Sequence, residues 1–141
     1  MKTLIIYYSY SGKTKAFAEK KAGELNAETY EVKEQKPRSK FNAYVFGSHA
    51  AMKQKTSNIE VLGVDLMNYE KIIIAGPIWA GLPAPAINSI ISSLPSGKEI
   101  EVYFTSGSGK SKGQEKVKQL VLQKGCSFSG YHDVKESEIQ V

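Results

Sequence analysis

A single cysteine, Cys126, leaves this chain no internal disulfide and no cysteine-built zinc cluster. It follows a helix-ending glycine and reads as a small buried residue. The two histidines, His49 and His132, fall outside every glycine-rich or hydroxyl-rich loop and read as structural or surface groups. Asp65 and Glu70 precede a buried strand without a partner carboxylate, so paired acid–base chemistry is unsupported. No apolar run approaches the roughly 20 residues of a membrane span. The segment Met1 to Ser9 has too short an apolar core for a secretory signal and lacks a small-residue cleavage site, so a cytoplasmic location is expected. No linker, internal repeat or low-complexity segment divides the 141 residues, which fit one domain over 1–141.

Acidic charge is also scarce. Fourteen Asp and Glu against nineteen Lys and Arg leave a net charge of +5. The excess lies in two groups: Lys33, Lys36, Arg38, Lys40, Lys53 and Lys55, then Lys110, Lys112, Lys116, Lys118 and Lys124. Such groups are either solvated surface or an electropositive face for an acidic partner. No helix-turn-helix, zinc module or aromatic platform accompanies them, so nucleic acid is not expected.

Strand and helix patterns alternate along the chain. Thr3 to Tyr8 is β-branched and aromatic without alternation, as a fully buried strand should be. A helix is expected from Thr14 to about Asn26, with Phe17, Ala18, Ala22 and Leu25 inward. Glu28 to Val32 alternates as a strand, and Lys33 to Ser39 reads as a basic loop. Phe41 to Lys53 is a plausible helix weakened by Gly47. Lys71 to Ala75 is a second buried strand closed by Gly76-Pro77, and Pro83 to Leu94 is a helix with Ile87, Ile90, Ile91 and Leu94 inward. Glu99 to Thr105 is a further strand. Lys112 to Lys124 is an amphipathic helix buried through Val117, Leu120 and Val121 and ended by Gly125. Ser127 to Val134 can form a last strand. This alternation implies an α/β fold, a doubly wound sheet of five parallel strands.

In such a sheet the loops at the strand carboxyl ends share one edge, where ligands bind. Three of them stand out. Ser9-Tyr10-Ser11-Gly12-Lys13-Thr14 joins a strand to a helix, which aims free N–H groups and a positive dipole end at an anion. Gly76-Pro77-Ile78-Trp79-Ala80-Gly81-Leu82-Pro83 holds the only tryptophan between glycines. Thr105-Ser106-Gly107-Ser108-Gly109 is small and polar. Together they suit a flat aromatic ligand with a phosphate tail.

Nucleotide hydrolysis is excluded by the first loop. Gly12-Lys13-Thr14 matches the end of a Walker A motif, but Tyr7 stands where its first glycine belongs, and Lys71 to Ala75 supplies no acidic Walker B residue. One glycine instead of three rules out a dinucleotide fingerprint. Ala75-Gly76 stand where a receiver domain needs an aspartate, and the first loop offers no cysteine nucleophile.

Along nearly its whole length the chain resembles the short-chain flavodoxin family. Ser9, Ser11, Gly12 and Thr14 match that family's phosphate pattern, Gly76 to Gly81 its isoalloxazine loop, and Thr105 to Gly109 the position of its other flavin loop. The resemblance implies strand order 2-1-3-4-5 and FMN as cofactor. It implies hydroxyl bonds to the phosphate from Ser9, Ser11 and Thr14, with amides from Tyr10 to Thr14 and added charge from Lys13. Trp79 would flank the ring. Pro77, Ile78, Ala80 and Gly81, with Thr105, Ser106, Gly107 and Gly109, would line its edge, and Gly81 could permit a peptide flip.

Two features depart from the family. Only seven residues follow the last expected strand, so the fifth helix is missing; an apolar sheet face is then expected to stand bare, and a homodimer could cover it. The chain is also basic where family members are acidic, which points to redox partners with acidic docking surfaces. A low-potential electron carrier is the first expectation. An FMN-dependent NAD(P)H:quinone-type reductase is the alternative, followed by a binding module that has lost its flavin.

Overall fold

Two buried runs, Leu-Ile-Ile and Ile-Ile-Ile, form the centre of the sheet because each is apolar toward both faces. They belong to β1 (Thr3–Tyr7) and β3 (Lys71–Trp79), which pair in parallel from Thr3↔Lys71 to Tyr7↔Ala75. The computed structural model describes residues 2–35, 56 and 58–139. The helix expected over Phe41 to Lys53, with His49 and the basic residues Lys36, Arg38, Lys40, Lys53 and Lys55, lies outside the described residues.

Helix α1 (Lys13–Leu25) leads to β2 (Glu28–Glu31), which pairs on the outer side of β1. A two-residue strand, β4 (Leu82–Pro83), turns back on β3 before α2 (Pro85–Ser92). Strand β5 (Glu99–Ser106), helix α3 (Gln114–Gln123) and strand β6 (Ser127–Lys135) complete the layers. The path β2-β1-β3-β5-β6 is the expected five-strand order, with β4 as an antiparallel addition to β3.

Strand alternation sorts the core into two layers. Leu4, Ile6, Ile72, Ile74, Ile100, Val102 and Phe104 pack with Ile87, Ile90 and Ile91 of α2 and Val117 and Val121 of α3. Ile5, Tyr7, Ile73 and Ala75 face Ala18 and Ala22 of α1. Burying an isoleucine completely is worth about 1.5–3 kcal/mol, so these positions dominate stability. Leu25, expected inward, is 49% exposed as the last residue of α1. Cys126 is buried, with its thiol directed to the Pro95 carbonyl at 3.1 Å.

The strand expected to stop at Ala75 runs four residues further, to Trp79. Proline in a central strand normally costs a ladder bond. Here the pairing with β1 ends at Ala75, whose carbonyl accepts the Tyr8 N–H. Pro77 is the next residue facing that side, so its missing donor meets no strand, and its carbonyl accepts the Ala84 N–H at 3.0 Å. On the other side β5 still pairs through Pro77↔Thr105. The following turn, Ala80-Gly81, has φ of 52° and 84°, the left-handed pair a two-residue hairpin needs. Pro83 therefore belongs to β4 rather than to the helix.

After β6 the described residues hold a single 3₁₀ turn, Glu136–Glu138, and no fifth helix. The sheet beyond α1 is nevertheless not apolar. Lys71 Nζ lies 3.0 Å from Glu101 and 3.4 Å from Glu99; His132 Nε2 lies 2.7 Å from Glu101, and the Tyr103 hydroxyl donates to Glu101 at 3.2 Å. The Tyr103 and His132 rings stack at 4.3 Å. Gly130 leaves room for this arrangement, since a Cβ there would stand 2.8 Å from His132 Nε2. The face expected to stand bare and apolar thus carries this charged and aromatic cluster.

Burial pushes the Glu101 carboxyl up, but hydrogen bonds from Lys71 and His132 outweigh it and hold it below the ordinary value. A depressed carboxylate stabilises the fold above its unfolded pKa, about 4.3, and loses that contribution as pH falls through its folded value. Glu101→Gln is therefore expected to cost roughly 1–3 kcal/mol at neutral pH and progressively less below about pH 4. Urea unfolding of both proteins at pH 7 and pH 3 checks this; an equal deficit at both pH values contradicts it.

Candidate functional site

Strand order reverses between β1 and β3, and the loops above their carboxyl ends meet there. Leaving β1, the chain turns at Gly12, whose φ of 97° strains any residue with a Cβ. The Gly12 carbonyl starts α1 by accepting the Ala16 N–H. The Gly12 and Lys15 amides both donate to Ser9 Oγ, at 3.2 and 3.1 Å. Two N–H groups at the positive end of a 13-residue helix thus converge on one oxygen, and the first turn carries no acidic side chain. Ser11 is exposed beside them, while Tyr10 and Lys13 are half-buried.

Thr14 points elsewhere. Its side chain is buried, and its Oγ1 lies 2.7 Å from Thr105 Oγ1 at the end of β5. Thr105 in turn reaches the Gly76 carbonyl at 3.5 Å.

The aromatic part of the site is a set of three rings. Trp79 is half-buried, with its ring edge-on to Tyr8 (6.1 Å, 80°) and to Tyr10 (5.9 Å, 87°). The Tyr8 hydroxyl donates to buried Glu34 Oε1 at 2.6 Å, and Glu34 bridges to Ile59. Beside Trp79, Pro77 is buried, Ile78 and Gly81 are half-buried, and Ala80 is exposed at the hairpin tip.

The third loop is closed on itself. Ser106 Oγ, nearly buried, accepts the Gly109 N–H at 3.0 Å, and Gly107 is exposed between them. The Lys112 N–H then donates to the Gly81 carbonyl at 2.7 Å, tying the end of this segment to the β3–β4 hairpin. Ser111 Oγ meets Asp133 Oδ1 at 2.5 Å and the Tyr131 hydroxyl at 2.6 Å, fixing the same segment to β6. Burial, together with the Asp133 charge, raises the Tyr131 pKa against the opposing bond from Ser111, so its phenol stays neutral. All three sequence-selected loops are therefore adjacent. Tyr8, Glu34, Ser111, Tyr131 and Asp133 carried no sequence signal, because their bonds span 19 or more positions and match no motif.

The flavodoxin family model matches residues 2–130. The chain belongs to the flavodoxin family. Among solved structures, a flavoprotein from Lactobacillus acidophilus NCFM in complex with FMN is 29% identical, with 92% of this chain and 91% of that chain covered and a TM-score of 0.74. A flavoprotein from Bacteroides eggerthii DSM 20697 is 22% identical over 98% and 92%, with a TM-score of 0.77. Two-electron reduced Megasphaera elsdenii flavodoxin is 15% identical over 95% and 86%, with a TM-score of 0.62. The last two likenesses concern the fold alone. No curated protein matches the sequence. Among the described residues of this flavodoxin-family chain, no group of His, Cys, Asp and Glu could hold a metal ion, and no helix is long and apolar enough to cross a membrane.

Proposed function

We propose that this protein binds FMN at the β1–β3 switch point and serves as an electron carrier. The observation that carries the reading is the convergence of the Gly12 and Lys15 amides on one oxygen, beside the Tyr10–Trp79 rings. A phosphate needs several neutral donors at a positive helix end, and this loop offers them with Ser9 and Ser11 hydroxyls beside them. A phosphate oxygen would take the acceptor position that Ser9 Oγ holds, with the Ser9 hydroxyl turning to donate to it. Trp79, Ile78 and the turn backbone at Ala80-Gly81 would bound the ring, and the closed loop from Ser106 to Gly109 its far side. The flavin, when bound, supplies reversible electron transfer; the protein supplies binding, orientation and electrostatics. The FMN-bound relative, at 29% identity, supports the same cofactor here.

Titration of purified protein with FMN tests this. Trp79 is the only tryptophan, so quenching of its fluorescence reports on this site alone. Quenching with a shift of the flavin absorbance is expected; neither at micromolar FMN overturns the proposal.

The basic charge near the site, with exposed Lys15, Lys110 and Lys112, suits an acidic redox partner. Transfer to such a partner should slow as salt rises, and rates independent of ionic strength would remove this part. A second reading is favoured by the third loop, which has no aromatic residue between Thr105 and Gly109 to cover the ring. The open face would let NAD(P)H reduce the cofactor directly, and NAD(P)H oxidation with a quinone acceptor separates a reductase from a carrier.

A further inference from the structure

We infer that Thr14 is a positioning residue that clamps the phosphate loop to the third loop through Thr105. The family's phosphate pattern would assign its hydroxyl to the ligand. In this chain that hydroxyl is turned inward: Thr14 is 2% exposed, Thr105 is fully buried, and their oxygens lie 2.7 Å apart. The two residues are 91 positions apart and sit on the helix after β1 and the end of β5.

Each threonine has one O–H to donate. Either hydroxyl can donate to the other at 2.7 Å, and Thr105 also faces the Gly76 carbonyl at 3.5 Å. The chain Thr14 to Thr105 to Gly76 thus joins the first, third and second loops in that order. Thr14 is the second residue of α1, directly between the amides that meet at Ser9 Oγ. Fixing its side chain therefore fixes where those two N–H groups point. Because both hydroxyls are buried, losing one leaves the other without its partner, whereas losing both together leaves no orphan.

This inference rests on the FMN reading for its consequence but not for the pair itself. The test uses Thr14→Val, Thr105→Val, the double variant and Thr14→Ser, with FMN and riboflavin as probes. Each single valine variant is expected to lower the preference for FMN over riboflavin by about tenfold, equivalent to about 1.4 kcal/mol. The double variant should lose no more than the worse single one, and Thr14→Ser should keep the preference. A merely structural contact would lower the unfolding midpoint without changing that ratio. If Thr14 bonds the phosphate directly, Thr14→Val lowers the ratio and Thr105→Val leaves it intact, which overturns the clamp. Should the wild-type protein bind neither flavin, the FMN reading fails and unfolding of the five apoproteins, wild type included, decides the pair. Non-additive midpoints, restored by Thr14→Ser, then uphold it, and additive midpoints overturn it.

Discussion

Gly76→Ala is expected to lower the unfolding free energy by about 1–3 kcal/mol, and to cost almost nothing once Ile87 has become alanine. A Cβ at position 76 would stand 2.2 Å from Ile87 Cδ1 and 2.7 Å from its Cγ1. Neither atom can retreat easily, because Ile87 is fully buried in the layer formed by α2 against β3 and β5. The glycine is thus required by close helix–sheet approach, and its backbone needs no left-handed conformation. Ile87→Ala removes both clashing atoms at its own cost of roughly 2–5 kcal/mol. Gly76→Ala in that background fills part of the space and no longer displaces a neighbour. Urea unfolding of the four proteins measures the cycle. A Gly76→Ala penalty that is the same in both backgrounds would contradict the packing account.

Saturating FMN is expected to protect the fold far more than riboflavin at the same concentration. A ligand present at a hundred times its Kd adds about 2.7 kcal/mol of stability. Two charge-assisted hydrogen bonds from the helix start to a phosphate, at about 1.5–3 kcal/mol each, amount to roughly a hundredfold preference after partial loss to desolvation. Riboflavin has the ring and lacks the phosphate. At that concentration it would stand near its own Kd and add only about 0.4 kcal/mol. Thermal or urea unfolding with each ligand reads the difference directly. Equal protection by both would mean that the Gly12–Lys15 amides do not hold the phosphate, whatever the ring does.

The main lines of the fold are legible in local residue patterns. Apolar runs without alternation mark β1 and the first half of β3, because strands covered on both faces need no polar side. Isoleucines at helical spacing mark α2, and Gly125, with φ of 79°, ends α3. Boundaries at β3 are not legible in this way. Pro77 argues against a strand on its own, and only the early end of β1 pairing makes it harmless. Ala80 also hides the hairpin, since alanine lacks the usual preference for its φ of 52°. The same limit applies to Leu25, whose apolar character at helical spacing does not reveal its exposure at the end of α1.

The sequence by itself singled out the three loops that the fold brings together. Short-range constraints sufficed, since a hydroxyl-rich turn before a helix makes an anion site through its own backbone, and a tryptophan between glycines needs no distant partner to be noticed. Tertiary structure alone decided how those loops are held together. Thr14 faces Thr105, Tyr8 reaches Glu34, Ser111 meets Asp133, and Glu101 gathers Lys71, His132 and Tyr103 on the sheet beside α1. Most of these pairs join residues far apart in the chain. Their geometry is set by strand register and by the cost of burying an unpaired polar group, neither of which is written in local periodicity.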